Sequence, residues 1–273
     1  MKNINMNLII VVVSIVAAIL ANLIWLEILF ITRKFGVDLF ENTYINDSGI
    51  EICILISQYL VIKGFNNGKF RFNFIDMRFN QHSFKQLFVG IGIGTLMYLV
   101  WVLILIVIKA IKFKGLGVMF YPINKVTMDL LYAFGIATLT GITEEIFYRG
   151  IILNQLMQYK GKFFALIISS LIFALAHTQY YHQFNNMFYV FIMAILLGYL
   201  YIITRSLFIS IGVHFAVDFY LIMSDGYNKV LLFNLKSNNL DMYFSYAQIF
   251  VILILILILA VYRFKHKKTN VNT

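Results

Sequence analysis

At 273 residues the chain is long enough for one large or two small soluble domains, but 61% of its residues are hydrophobic, 12% are charged and one is proline. Soluble domains run at roughly 45–50% apolar and about 25% charged, so an ordinary water-soluble fold is excluded, and the close spacing of the apolar runs leaves no segment for a separate soluble core. The net charge of +10 does not point to nucleic acid, because Lys and Arg fall mainly between the apolar runs, where the inner leaflet of a bilayer attracts them.

A hydrocarbon core of about 30 Å needs about 20 helical residues. On that measure the sequence holds eight candidate spans, at 8–31, 49–62, 85–108, 127–148, 163–180, 187–204, 206–223 and 245–262. The expected architecture is all-α: a polytopic membrane helix bundle of about eight transmembrane helices forming one domain, 1–273. The first run follows Lys2 and lacks a small-residue cleavage site, so it reads as a retained span and not as a signal peptide. The second, at 14 residues, is either re-entrant or extends backwards through Asn46 and Asp47. In the third, Gly90 and Gly94 have the GxxxG spacing that lets two helix backbones approach closely in lipid. Asp129, near the start of the fourth, suits a helix N-terminal dipole. The lone cysteine, Cys53, has no intrachain partner and reads as a packing residue. With the N-terminus inside, Lys2, the basic stretch from Lys63 to Lys85, Lys160, Lys162, Arg205 and the run from Arg263 to Lys268 share one side, which favours cytoplasmic termini.

Ionisable side chains are costly at the bilayer centre and are by default functional candidates. Here they gather in the second half of the chain. The fourth span ends in Gly141-Ile142-Thr143-Glu144-Glu145-Ile146-Phe147-Tyr148-Arg149-Gly150, the fifth carries Phe173-Ala174-Leu175-Ala176-His177, and the seventh His214-Phe215-Ala216-Val217-Asp218. Glu145 and Arg149 are four apart and can pair on one helix face, while Glu144 points about 100° away, towards the face of Tyr148. Arg149 thus holds Glu145 as a carboxylate and leaves Glu144 free to act as a general base. His214 and Asp218 are also four apart, so Asp218 can orient the imidazole. A turn at Tyr159 to Gly161 makes the fourth and fifth spans antiparallel and brings Glu144 and His177 to similar depth, unless Gly150 breaks the helix.

Glu144-Glu145-x-x-x-Arg149, Phe173-x-x-x-His177 and His214-x-x-x-Asp218, in that order, resemble the CPBP family, the CAAX prenyl protease type II and bacteriocin-processing intramembrane proteases also called Abi proteins. The resemblance covers about residues 126–224, the expected protease-like core. It implies an intramembrane endopeptidase acting on a membrane-associated peptide or protein. In that family the first Glu and first His are thought to activate water, a role for Glu144 and His177. The second His and the residue four on are thought to stabilise the oxyanion, a role for His214 and Asp218; an ionised Asp cannot donate a hydrogen bond, so Asp218 acts through His214. The second Glu and the Arg support the site, which fits Glu145 and Arg149. The family is often named as metalloproteases, so zinc or another divalent metal on Glu144, His177 and His214 stands beside a metal-free glutamate mechanism; the chain has no HExxH pair.

The implied setting is a bacterial cytoplasmic membrane, with bacteriocin immunity, peptide-signal maturation or cell-surface regulation as cellular roles. Two readings from other classes compete. One is a non-catalytic membrane scaffold or immunity protein of the same fold; the other is a proton- or ion-coupled transporter, against which stands the lack of repeat symmetry.

Overall fold

The computed structural model describes residues 5–40, 43–66, 82–224, 228–235 and 240–269. Lys2, Lys69, Arg71 and Arg78, part of the expected cytoplasmic basic set, lie outside them. Apolar runs free of proline form α1 (Met6–Lys34), α2 (Thr43–Phe65), α3 (Ser83–Val107), α4 (Ile123–Glu144), α5 (Asn154–Lys160), α6 (Lys162–Ala176), α7 (Phe184–Thr204), α8 (Leu207–Ser224) and α9 (Leu240–Thr269). A π-helical stretch, Glu145–Leu153, joins α4 to α5 without a break. Among the described residues seven helical segments are long and apolar enough to cross a membrane, and α6 is a shorter apolar helix. The chain is an all-α, multi-pass membrane bundle.

Three boundaries differ from the hydropathy reading. The second span is a full helix of 23 residues that extends backwards through Asn46 and Asp47, and its polar start is held by partners. Tyr132 donates to Asp47 at 2.7 Å, Tyr44 donates to Asp129 at 3.2 Å, and the Tyr44 and Tyr132 rings meet edge to face at 4.2 Å. The fourth span runs on to Lys160, so Gly150 does not break it. The fifth ends at Ala176, placing His177 just beyond the helix instead of within it. At 15 residues α6 reaches about 22 Å, short of a ~30 Å core, so its C-terminal end stops at an intermediate depth.

Asp129 lies beyond the first turn of α4 and is not a dipole partner. It is buried, pairs with Lys125 at 2.6 Å and accepts the Lys229 backbone N–H at 2.9 Å. It thereby ties α2 and α4 to the segment before a strand that hydropathy did not reveal. That strand, β2 (Leu231–Leu235), pairs antiparallel with β1 (Ile111–Leu116).

The closest helix pairing is that of α3 with α8, and small residues make it possible. A methyl at Gly94 would lie 2.7 Å from the Val213 carbonyl oxygen, one at Gly90 would collide with the Ile209 carbonyl, and one at Gly212 with the Leu87 carbonyl. The GxxxG pair of the third span therefore packs backbone on backbone, the route to helix association in lipid. Gly141 does the same for α4 against α8, where an added methyl would sit 3.3 Å from the Phe215 nitrogen. Both glycine contacts fix the height and rotation of the helix that carries His214.

Replacing Gly94 by leucine should force α3 away from α8 and lower stability by at least ~1–3 kcal/mol, the usual cost of overpacking. Thermal unfolding of the detergent-solubilised protein checks this, with Gly92→Leu, whose site faces open space, as the variant expected to change little.

Candidate active site

The second half of the chain brings its ionisable groups together around Glu145. That carboxylate is fully buried, and Arg149, one turn on, donates to its Oε1 at 2.7 Å. The guanidinium is itself only 2% exposed. It donates also to the Ala194 carbonyl of α7 at 3.3 Å and lies over the Phe173 ring at 4.6 Å from its centroid. A buried ion pair of this kind is tolerable only with such additional bonds. The expected Glu145–Arg149 pairing is present, and it survives although Glu145 begins the π-helical stretch. π turns widen a helix locally and recur at functional sites.

His214 reaches Glu145 from α8. Its Nδ1 lies 2.9 Å from Glu145 Oε1. A carboxylate held by Arg149 only accepts, so Nδ1 carries the proton and donates it. The other ring nitrogen, Nε2, is 3.3 Å from Asp218 Oδ2 and 3.6 Å from Glu144 Oε2. A ring nitrogen facing two carboxylates requires a proton somewhere among the three groups, since lone pairs alone would repel. The expected i,i+4 relation of His214 and Asp218 is thus realised as a contact, and Glu144 joins it from α4.

His177 follows the last turn of α6. Its Nδ1 is 2.9 Å from the Phe173 carbonyl, one of the acceptors that a helix C-terminus leaves without an intrahelical partner. A carbonyl only accepts, so Nδ1 of His177 carries the proton and Nε2 of the neutral ring is an acceptor. Phe173 packs between the two histidines, with ring centroids 4.6 Å from His177 and 6.1 Å from His214, and Tyr148 meets its edge at 4.7 Å. His177 is also within electrostatic reach of Glu144. All six residues singled out from the sequence, Glu144, Glu145, Arg149, His177, His214 and Asp218, therefore belong to one neighbourhood.

The same neighbourhood includes a residue that motif reading passed over. Glu51, on α2, is 8% exposed and lies within electrostatic reach of Glu144, His214 and Asp218. The available signal was its position as an ionisable residue inside an apolar run.

The metal alternative is not matched by the donor set. Among the described residues no three His, Cys, Asp or Glu side chains are grouped so as to hold a metal ion. Nδ1 of His177 and Nδ1 of His214 are engaged by the Phe173 carbonyl and Glu145, so only Nε2 of each ring is left to face the site. Glu144, His177 and His214 do not fit a metal ion in this arrangement, and no step below passes through one.

Breaking the buried pair should destabilise the protein strongly. Arg149→Met leaves Glu145 with His214 alone, and a loss of about 3–5 kcal/mol is expected. The double variant Arg149→Met, Glu145→Leu should recover part of that loss in thermal unfolding, because no orphan charge remains.

No curated protein sequence matches the chain. Residues 126–220 match the family model described as type II CAAX prenyl endopeptidase Rce1-like, and this segment spans α4 through most of α8 and every residue of the site except Glu51. Over residues 126–220, the span that carries the site, the chain is therefore similar to the type II CAAX prenyl endopeptidase Rce1-like family.

Proposed function

We propose that the chain is an intramembrane endopeptidase that hydrolyses a peptide bond of a membrane-associated peptide or protein with water activated by Glu144 and His177. The observation that carries this reading is the continuous chain of contacts from Arg149 through Glu145 to His214, with Glu144 and Asp218 at the far ring nitrogen.

In this mechanism water is held between the Glu144 carboxylate and Nε2 of His177, whose orientation is supported by the Phe173 carbonyl. Glu144 takes a proton as the water oxygen attacks the scissile carbonyl. A His214 ring carrying both protons spends Nδ1–H on Glu145 and offers Nε2–H to the oxyanion of the tetrahedral intermediate. Asp218 and Glu145 position that ring and balance its charge, and Arg149 keeps Glu145 an acceptor. Collapse breaks the C–N bond, and the proton on Glu144 passes to the leaving amine.

The setting is a bacterial cytoplasmic membrane with both termini on the cytoplasmic side, supported by the side shared by most Lys and Arg residues. Bacteriocin immunity, peptide-signal maturation and cell-surface regulation are the cellular roles consistent with such an enzyme.

The test is cleavage of a membrane-peptide library by the detergent-purified full chain, wild type against Glu144→Ala and His177→Ala, with and without chelator. Each substitution should lower cleavage by at least ~100-fold, in line with loss of a general base, and chelator should leave the wild type unchanged. Equal cleavage by all three forms would overturn the mechanism, chelator sensitivity would return the metal, and a wild type that cuts nothing would favour the scaffold.

A further inference from the structure

The hydrolytic roles above use every carboxyl group of the site except that of Glu51. This residue comes from outside the segment that matches the family model, on a helix whose position is set independently. Asp47, one turn before it on the same face of α2, accepts from Tyr132 of α4, and Tyr44 donates to Asp129 of α4. The side of α2 that meets α4 therefore also presents Glu51. Glu144 and Tyr148 on one helical run and His214 and Asp218 on α8 lie within electrostatic reach of its carboxyl group.

The Glu51 carboxyl is more than nine-tenths buried, and its Oε2 has no hydrogen-bond partner; Glu144 Oε2 is likewise buried and without a hydrogen bond. An unsatisfied buried oxygen of this kind costs the desolvation of the group and marks a place where a partner belongs. Among the described residues of the site, Arg149 serves Glu145, the Ala194 carbonyl and the Phe173 ring, and both nitrogens of His214 face other carboxylates. Glu51, Glu144, Glu145 and Asp218 bring four carboxyl groups into one neighbourhood with Arg149 and His214. The Asp218 side chain, 25% exposed, marks its open edge.

We propose that Glu51 forms a subsite for a cationic side chain, lysine or arginine, of the peptide substrate, placed beside Glu144 so that a basic residue close to the scissile bond completes the site. This rests on the endopeptidase reading and adds the substrate class to it. A substrate ammonium or guanidinium supplies the missing donor to Oε2. A neutral isostere leaves the oxygen unpaired, and sites built around a buried polar group discriminate most strongly against the ligand that lacks the complementary one.

The experiment compares peptides that are identical except for lysine or norleucine at each position around the cleavage site. Cleavage and binding are both read, the binding by fluorescence anisotropy of labelled peptides on the detergent-solubilised full chain. Wild type should prefer lysine by about ten-fold or more at one position, the scale of a charge-assisted hydrogen bond out of water. In Glu51→Gln that ratio should fall to about one, and in Glu51→Asp, which keeps the charge, lysine should still be preferred. Loss of cleavage in Glu51→Gln by the same factor for both peptides would overturn the subsite and make Glu51 part of the chemistry or the packing. So would a wild type that binds lysine and norleucine peptides alike. If wild type cuts neither peptide, the endopeptidase reading fails, and the binding ratio still decides whether Glu51 selects a cation.

Discussion

A carboxylate with no access to water needs its charge answered from within the protein, and Glu145 is such a carboxylate, buried completely at the centre of the bundle. Its two partners arrive from different directions: Arg149 from the next turn of its own helix and His214 from α8. Each partner has obligations of its own. Arg149 can remain buried only because the Ala194 carbonyl of α7 and the Phe173 ring of α6 also receive it. His214 has one nitrogen left, and that nitrogen draws Asp218 and Glu144 together. One buried charge thus couples the run from α4 to the helices α6, α7 and α8, and removing any partner exposes the others to the same desolvation problem.

Such coupling demands that α8 sit at one height and one rotation, which side-chain chemistry alone cannot ensure in lipid, where apolar residues pack against tails as readily as against one another. Close backbone approach supplies the missing constraint. Gly90 and Gly94 on α3 meet Gly212 and its neighbours on one side of α8, and Gly141 of α4 approaches Phe215 on another. The glycines flank the histidine and are as much a part of the site's geometry as the ionisable groups, although none of them bears a functional group.

What the sequence reveals follows the range of the interaction. Glu145 with Arg149 and His214 with Asp218 are legible from spacing, because four residues on one helix share a face whatever surrounds them. The contact between Glu145 and His214 is not, since it depends on how two helices are rotated and on a π turn that hydropathy does not report. His177 was read as lying inside a span because its neighbours are apolar. Its side chain instead binds the Phe173 carbonyl where α6 stops, and the residues that follow, Thr178, Gln179, His182 and Gln183, are polar. Glu51 lies inside the candidate span 49–62, but no motif ties it to the other ionisable residues, and its place beside them depends on how α2 packs on α4 through Tyr44 and Asp47. The β1–β2 pair escaped although Ile111-Lys112-Phe113-Lys114 alternates as a half-buried strand does, because the strand it pairs with lies far along the chain, after α8.

The two histidines illustrate how one side chain acquires two roles. In each the Nδ1 proton is committed, to a neutral carbonyl for His177 and to an anionic carboxylate for His214. The carbonyl fixes the ring without charging its surroundings, so Nε2 of His177 is left as an acceptor suited to holding water. The carboxylate beneath His214 and the two beside its Nε2 set an acceptor against each ring nitrogen and aim the ring, suited to an oxyanion that forms and disappears in each turnover. Under the proposed hydrolysis, the histidine that must accept and the one that must donate are therefore told apart by what lies behind each ring, and the position of Glu145 makes the difference.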